Sequence, residues 1–108
     1  MISAKFTAGG GRITGCTVEG HAQYAEKGQD IVCSAVSAVS IMTANTVTEV
    51  LRAAAGVKTG DGYLEIRLKE NNAEAENLLE GLRLFLEGLS KQYPEYVRVS
   101  ITNRKERA

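Results

Sequence analysis

Tyr63-Leu64-Glu65-Ile66-Arg67-Leu68-Lys69 is the stretch on which the fold turns. Leu64, Ile66 and Leu68 point one way, and Glu65, Arg67 and Lys69 the other, which is the two-residue period of a strand. A strand apolar on one side and charged on the other belongs to a sheet with one covered face and one wet face. Downstream, Asn71-Asn72 supplies a turn and a helix N-cap, and Glu74 and Glu76 suit the positive first turn. Ala75, Leu78, Leu79, Leu82, Phe85, Leu86 and Leu89 then mark the buried face of a helix that Pro94 ends. Val97, Val99 and Ile101 alternate with Arg98, Ser100 and Thr102 as a last strand. Arg104-Lys105-Glu106-Arg107 reads as a solvated tail.

Upstream of that strand, Gly60-Asp61-Gly62 makes a turn. Before it a long helix is expected from Ile31 to Ala55, with Gly56 in the C′ position. Val32, Val36, Val39, Thr43, Val47, Val50 and Ala54 recur at three- and four-residue steps as its core stripe. Cys33, Ser37, Ser40 and Ala44 form a second stripe, of small residues, that lets another backbone come close. Nearer the start, Ile2, Ala4 and Phe6 alternate with Ser3, Lys5 and Thr7, and Gly9-Gly10-Gly11 reverses the chain. On the return strand, Arg12 to Val18, Ile13 is out of phase with Cys16 and Val18. A bulge at Gly15 would return all three to one face. The resulting order is β-β-α-β-α-β. The expected fold class is α+β, a mostly antiparallel four-stranded sheet with two helices packed on one face, as a single domain over residues 1–108.

Composition narrows the function. The 108 residues carry 13 Lys+Arg against 13 Asp+Glu, so phosphate neutralisation by a basic face is not expected and no direct nucleic-acid partner is inferred. No apolar run approaches a membrane span and no signal peptide is visible, so no membrane partner is expected. Two Cys and one His cannot close a zinc site, so neither a metal nor another cofactor is expected.

The remaining chemistry gathers between residues 19 and 37. Glu19 to Asp30 shows no periodicity, carries the one histidine, and leads directly into the helix that bears Cys33. Loops of about a dozen residues are uncommon in compact domains and are often functional. With Asp30 as N-cap, Cys33 lies in the first turn, where unpaired N–H groups and the helix dipole favour a thiolate. Buried free cysteine is the common alternative, and it suits Cys16 better. A Cys–His pair is the minimum set for an activated thiol nucleophile, and N–H groups near Cys33 would serve as oxyanion donors. Asp30 either caps the helix only or also orients the imidazole as a third member. Ser37, one turn beyond Cys33, is placed to hydrogen-bond substrate or sulfur. The three glycines at 9–11 lack the rest of a phosphate-loop pattern.

Gly20-His21-Ala22 followed by Gly28-Gln29-Asp30-Ile31-Val32-Cys33-Ser34-Ala35-Val36-Ser37 resembles the signature of the ribosomal-processing cysteine protease family (Prp). The likeness runs over nearly the whole chain. It implies a cytoplasmic homodimer that removes a short N-terminal extension from a large-subunit ribosomal protein, the L-twenty-seven protein, cutting after an aromatic residue. Carried over, Cys33 is the nucleophile and His21 the general base and acid. Asp30 is a cap or an orienter, and Gly20, Ala22, Ser34 and Ser37 belong to the substrate site. The resemblance also implies that the loop between His21 and Cys33 orders around substrate. An alternative from another class stays open: a non-enzymatic ribosome-assembly or adaptor dimer that binds its partner through the small-residue helix face. A thiol redox role lacks a Cys-x-x-Cys pair.

Overall fold

The computed structural model describes residues 1–26 and 29–103. Lys27-Gly28 and the tail from Arg104 onward, both part of the sequence reading, lie outside the described residues. The first two strands, β1 (Ile2–Gly9) and β2 (Arg12–Gly20), form an antiparallel hairpin. Gly10 and Gly11 both have positive φ, as a two-residue turn of this hand requires. The expected bulge is present. Thr7 pairs with Gly15 but Ala8 with Ile13, so Thr14 is the extra residue, and Ile13, Cys16 and Val18 all face the core.

Helix α1 covers Ile31–Asn45 and continues as a π-helical turn over Thr46–Val50. The expected helical run to Ala55 is thereby corrected. Thr46 and Thr48 turn their hydroxyls back onto the carbonyls of Met42 and Ala44, at 2.8 and 3.1 Å. Such bonds compete with the helical ladder, and the β-branched cluster Thr46, Val47, Thr48 and Val50 weakens it further. Leu51 N–H donates five residues back to Thr46 O, and Arg52 turns left-handed at φ +51. Ala55 and Gly56 then open a strand, β3 (Ala55–Gly60), paired antiparallel with β4 (Tyr63–Leu68). The expectation that no apolar run approaches a membrane span is corrected: by length and composition the 20-residue run Ile31–Val50 is apolar enough for one. Its Val32, Val36, Thr43, Ala44 and Val47 are buried in the protein, as in a core helix.

Helix α2 (Ala73–Gln92) starts where the sequence reading has it: the side chain of Asn72 accepts the N–H of Ala75 at 3.0 Å. Ala75, Leu79, Leu82 and Leu86 are buried, whereas Phe85, expected in the core, is 46% exposed. The last strand is β5 (Val97–Asn103). Among the described residues the sheet has five strands rather than four, in the order β3-β4-β2-β1-β5, with only β1 and β5 parallel. Its apolar face, from Ile2, Ala4, Phe6, Val18, Leu64, Ile66 and Val97, shares one core with Val32 and Val36 of α1 and Leu79, Leu82 and Leu86 of α2. Fold class α+β with two helices on one face therefore holds. This architecture brings the end of β2, the start of α1 and the β3–β4 turn to one end of the sheet.

Candidate active site

Gly20 closes β2 with φ +100, and its N–H donates to Gly62 O at 2.8 Å, joining the histidine loop to the β3–β4 hairpin. A Cβ at Gly20 would stand 2.3 Å from Met1 O, so both dihedral and space demand glycine. His21 follows, its carbonyl accepting the α-ammonium group of Met1 at 2.6 Å. The imidazole is half-exposed and lies over Gly62, with Nε2 at 3.8 Å from Oδ2 of Asp61.

The loop beyond is held at three points. Ala22 is buried in the core, Tyr24 N–H donates to Asp30 Oδ2 at 3.0 Å, and the Tyr24 ring meets Tyr93 and Tyr96 edge-on at 5.4 and 5.2 Å. Residues 21–26 are thus tied to the core, to the cap of α1 and to the tyrosines that follow α2.

Asp30 caps α1. Its Oδ1 accepts the N–H of Cys33 at 2.9 Å while Oδ2 holds Tyr24. Burial pushes the carboxyl up, but N–H groups of Cys33, Tyr24, Ala25 and Val32 outweigh it and hold the carboxyl below its ordinary value. Both oxygens are thus engaged with backbone, and the carboxylate beside the imidazole is Asp61. The N–H groups expected as oxyanion donors are also engaged: Cys33 donates to the Asp30 side chain and Ser34 to Asp30 O at 3.0 Å.

The two thiols differ sharply. Cys16 is buried in the sheet, and burial pushes its thiol up to about 12 despite a backbone hydrogen bond at Ile66. Cys33 is half-buried and lines two cavities together with His21 and Asp61. The larger, about 520 Å³, is walled mainly by apolar groups of Ile2, Val18, Val36, Ile41 and Leu64, with Gly20 and Ser37 also on its lining. Tyr63 borders it with its hydroxyl given to Glu65 Oε1 at 2.9 Å, the hydrogen bond that raises its titration. The smaller, about 400 Å³, adds Gln23, Ala25, Asp30 and Ser34. No hydrogen bond joins the Cys33 thiol to the imidazole among the described residues.

Of the residues expected at the site, Cys33, His21, Asp30, Gly20, Ser34 and Ser37 are brought together. Ala22 is not, being part of the core. Sequence reasoning placed Asp61 and Gly62 in a turn and Tyr63 at the start of a strand, and assigned none of the three to the site. Asp-Gly between two strands is a strong hairpin signal that could have found β3 before the turn, although not the turn's place against His21. No group of three His, Cys, Asp or Glu side chains fit to hold a metal is present among the described residues. A roomier hollow, about 750 Å³, lies at the far end of the sheet. Its charged groups answer one another, Arg12 with Glu76 and Arg83 with Glu80, and it contains no nucleophile.

Comparison with known proteins then decides the family. The pattern of the family described as cysteine protease Prp matches residues 1–98. The chain belongs to the Prp family. The ribosomal processing cysteine protease Prp of Staphylococcus aureus is 30% identical over 104 residues, covering 93% of this chain and 98% of that one. The Prp of Bacillus subtilis is 32% identical over 88 residues, covering 75% of this chain and 79% of that one. The crystal structure of S. aureus Prp with a covalently linked product peptide superposes with TM-score 0.88 at 29% identity, covering 94% of this chain and all (100%) of that one. The S. aureus Prp complex with a substrate peptide gives TM-score 0.82 at 28% identity and the same coverage, 94% and 100%. The Prp fold is thus shared over nearly the full chain.

Proposed function

We propose that the chain is a cysteine endopeptidase that removes an N-terminal extension from a large-subunit ribosomal protein, the L-twenty-seven protein, with Cys33 as nucleophile and His21 as general base and acid. One observation carries the assignment: of two thiols, only Cys33 opens into the cleft that His21 lines, whereas Cys16 is buried and its thiol raised to about 12. A nucleophile must be reached by substrate and must ionise, and Cys16 meets neither condition.

In the reaction the thiol proton passes to the imidazole, and sulfur attacks the carbonyl carbon of the scissile peptide bond. The imidazolium then protonates the leaving amine, which departs with the mature part of the substrate. Water, deprotonated by the same imidazole, hydrolyses the thioester and restores the thiol. The substrate chain lies across Cys33, with the cavities on either side taking its flanking residues. An apolar side chain before the cleaved bond suits the larger cavity. Asp30 acts as the cap that fixes the Cys33 turn and ties the loop to it, and Ser34 and Ser37 border the path of the peptide.

The family resemblance also carries the expectation of a cytoplasmic homodimer. Exposed Ile31, Ile41 and Met42 on α1 support a covered outer face.

The test is a synthetic peptide spanning the extension junction of the host's ribosomal protein, with fragments read by mass spectrometry. Wild type and Cys16→Ala are expected to cut at one bond, and Cys33→Ala and His21→Ala to lose cleavage by two orders of magnitude or more, roughly the contribution of a positioned base. Persisting cleavage by pure Cys33→Ala protein would overturn the assignment and favour the adaptor reading.

A further inference from the structure

The backbone bond from Gly20 N–H to Gly62 O, 2.8 Å long, has His21 beside its donor and Asp61 beside its acceptor. It therefore holds an imidazole and a carboxylate from distant parts of the chain next to one another. The ring presents its Nε2 corner to the β3–β4 turn. Measured from where a Cβ on Gly62 would stand, Nε2 is nearest at 2.6 Å, and the two atoms bonded to it, Cε1 and Cδ2, follow at 3.0 and 3.2 Å. Nδ1 is thus the nitrogen on the side away from the turn.

Oδ2 of Asp61 stands 3.8 Å from Nε2, longer than a hydrogen bond. A turn of the Asp61 side chain can close that gap: it is 94% exposed and has no other ion-pair partner among the described residues. Catalytic hydrogen bonds are often long in a protein without substrate and tighten in the complex. Asp30, the other carboxylate lining the cavities at Cys33, cannot take this part, because backbone N–H groups hold both its oxygens.

We propose that Asp61 is a positioning residue for the reaction, accepting the Nε2–H of His21 so that the lone pair of the neutral ring lies on Nδ1. This rests on the protease reading above. Nδ1 then takes the thiol proton of Cys33, Nε2 keeps its own, and Asp61 stays ionised throughout. An exposed pair of this kind adds little to stability, so its effect falls on the ring and not on the fold.

The experiment has two arms, each on wild type, Asp61→Ala and Asp61→Glu. In the first, cleavage of the extension-junction peptide is followed. Asp61→Ala is expected to lower kcat about three- to tenfold, between the scale of an exposed ion pair and that of a hydrogen bond to a charged group, with KM within twofold and the thermal melt unchanged. Asp61→Glu should restore most of the loss. The second arm needs no substrate. The chain has one histidine, so its two ring nitrogens are read by ¹⁵N NMR without ambiguity. Wild type and Asp61→Glu are expected to show protonated Nε2 and unprotonated Nδ1, and Asp61→Ala to move both signals towards the average of the two tautomers. Wild-type kcat in Asp61→Ala, or a loss confined to KM, would overturn the proposal, as would ring signals that Asp61→Ala leaves unmoved. If the wild type cuts no peptide, the protease reading fails by itself, and the NMR arm alone decides whether Asp61 sets the ring.

Discussion

The imidazole of His21 rests on Gly62, where a Cβ would stand 2.6 Å from Nε2 and 3.0 Å from Cε1. A glycine on the β3–β4 turn thus sets the position of the one histidine, more than forty residues before it in the chain. Gly62 is held there by the bond from Gly20 N–H, so the loop that carries His21 and the turn that supports it move together.

Gly62→Ala is therefore expected to damage activity more than stability. The residue has φ +62, which costs a non-glycine roughly 1–2 kcal/mol. The new methyl also occupies the imidazole's place, and a displacement of about 1 Å in a catalytic group costs on the order of 10²-fold in rate. Cleavage kinetics beside a thermal melt check this. A variant with near-normal kcat/KM would mean that the ring is not positioned by this contact.

Asp30 supplies a second prediction because its two oxygens serve different elements. Asp30→Asn preserves the cap, since Asn caps about as well as Asp, whereas Asp30→Ala should cost about 1 kcal/mol in stability. With burial opposed and outweighed by backbone donors, the folded carboxyl titrates below its ordinary value. The stability it contributes is present above the ordinary aspartate range and is lost as pH falls through the lowered folded value. The stabilities of the wild type and Asp30→Asn should therefore differ in their slope against pH in that window only. If Asp30→Asn abolishes cleavage as deeply as His21→Ala, the carboxylate acts on the imidazole as well as on the helix.

Much of this site is legible because its pieces are close in sequence. Asp30 and Cys33 are three residues apart, so a cap and a first-turn thiol can be read directly. His21 is one loop away. Asp61, Gly62, Tyr93 and Tyr96 reach the same region only through sheet pairing and the return of the chain after α2, and no local pattern announces that. The missed strand has a similar cause. Ala53-Ala54-Ala55 favours helix by propensity, but pairing of Ala55–Gly60 with β4 supplies a full ladder that outweighs it. The Asp61-Gly62 hairpin signal pointed the other way and was read only as a turn. The bulge on β2, by contrast, was legible because the phase of three apolar residues required it.

The cysteines give a third prediction. Cys16 has its thiol raised from 9.0 to about 12 by burial, so in the folded protein it stays neutral where the unfolded chain would ionise. The unfolded state binds fewer protons between those values, so stability is full below pH 9 and falls by ~1.4 kcal/mol per pH unit up to about pH 12. Denaturant melts from pH 8 upward on wild type and Cys16→Ala should show that slope in the first and its loss in the second. In the folded protein at pH 8, iodoacetamide is expected to modify Cys33 and spare Cys16. Labelling of both at similar rates would contradict the burial of Cys16.

The last prediction concerns Tyr24, which ties the histidine loop to the far end of the chain. Its ring sits edge-on to both Tyr93 and Tyr96, and each such pair contributes about 0.5–1.5 kcal/mol beyond its buried area. Its N–H bond to Asp30 is a backbone contact that survives a change of side chain. Tyr24→Ala should therefore release the ring's anchor while leaving the cap in place. Few other apolar groups hold residues 21–26, so the released free energy is expected to appear as local opening rather than global unfolding. Amide exchange over residues 21–26 should accelerate by about tenfold, the equivalent of ~1.4 kcal/mol, with protection in β1, β2 and α2 unchanged. His21 would then be in place for a smaller fraction of the time, and kcat/KM on the extension peptide should fall, by at most the same factor. Tyr24→Phe keeps both ring contacts and should restore exchange and activity together. If Tyr24→Ala exchanges like the wild type, the aromatic pair is not what holds the loop, and its anchoring falls to Ala22 and Asp30.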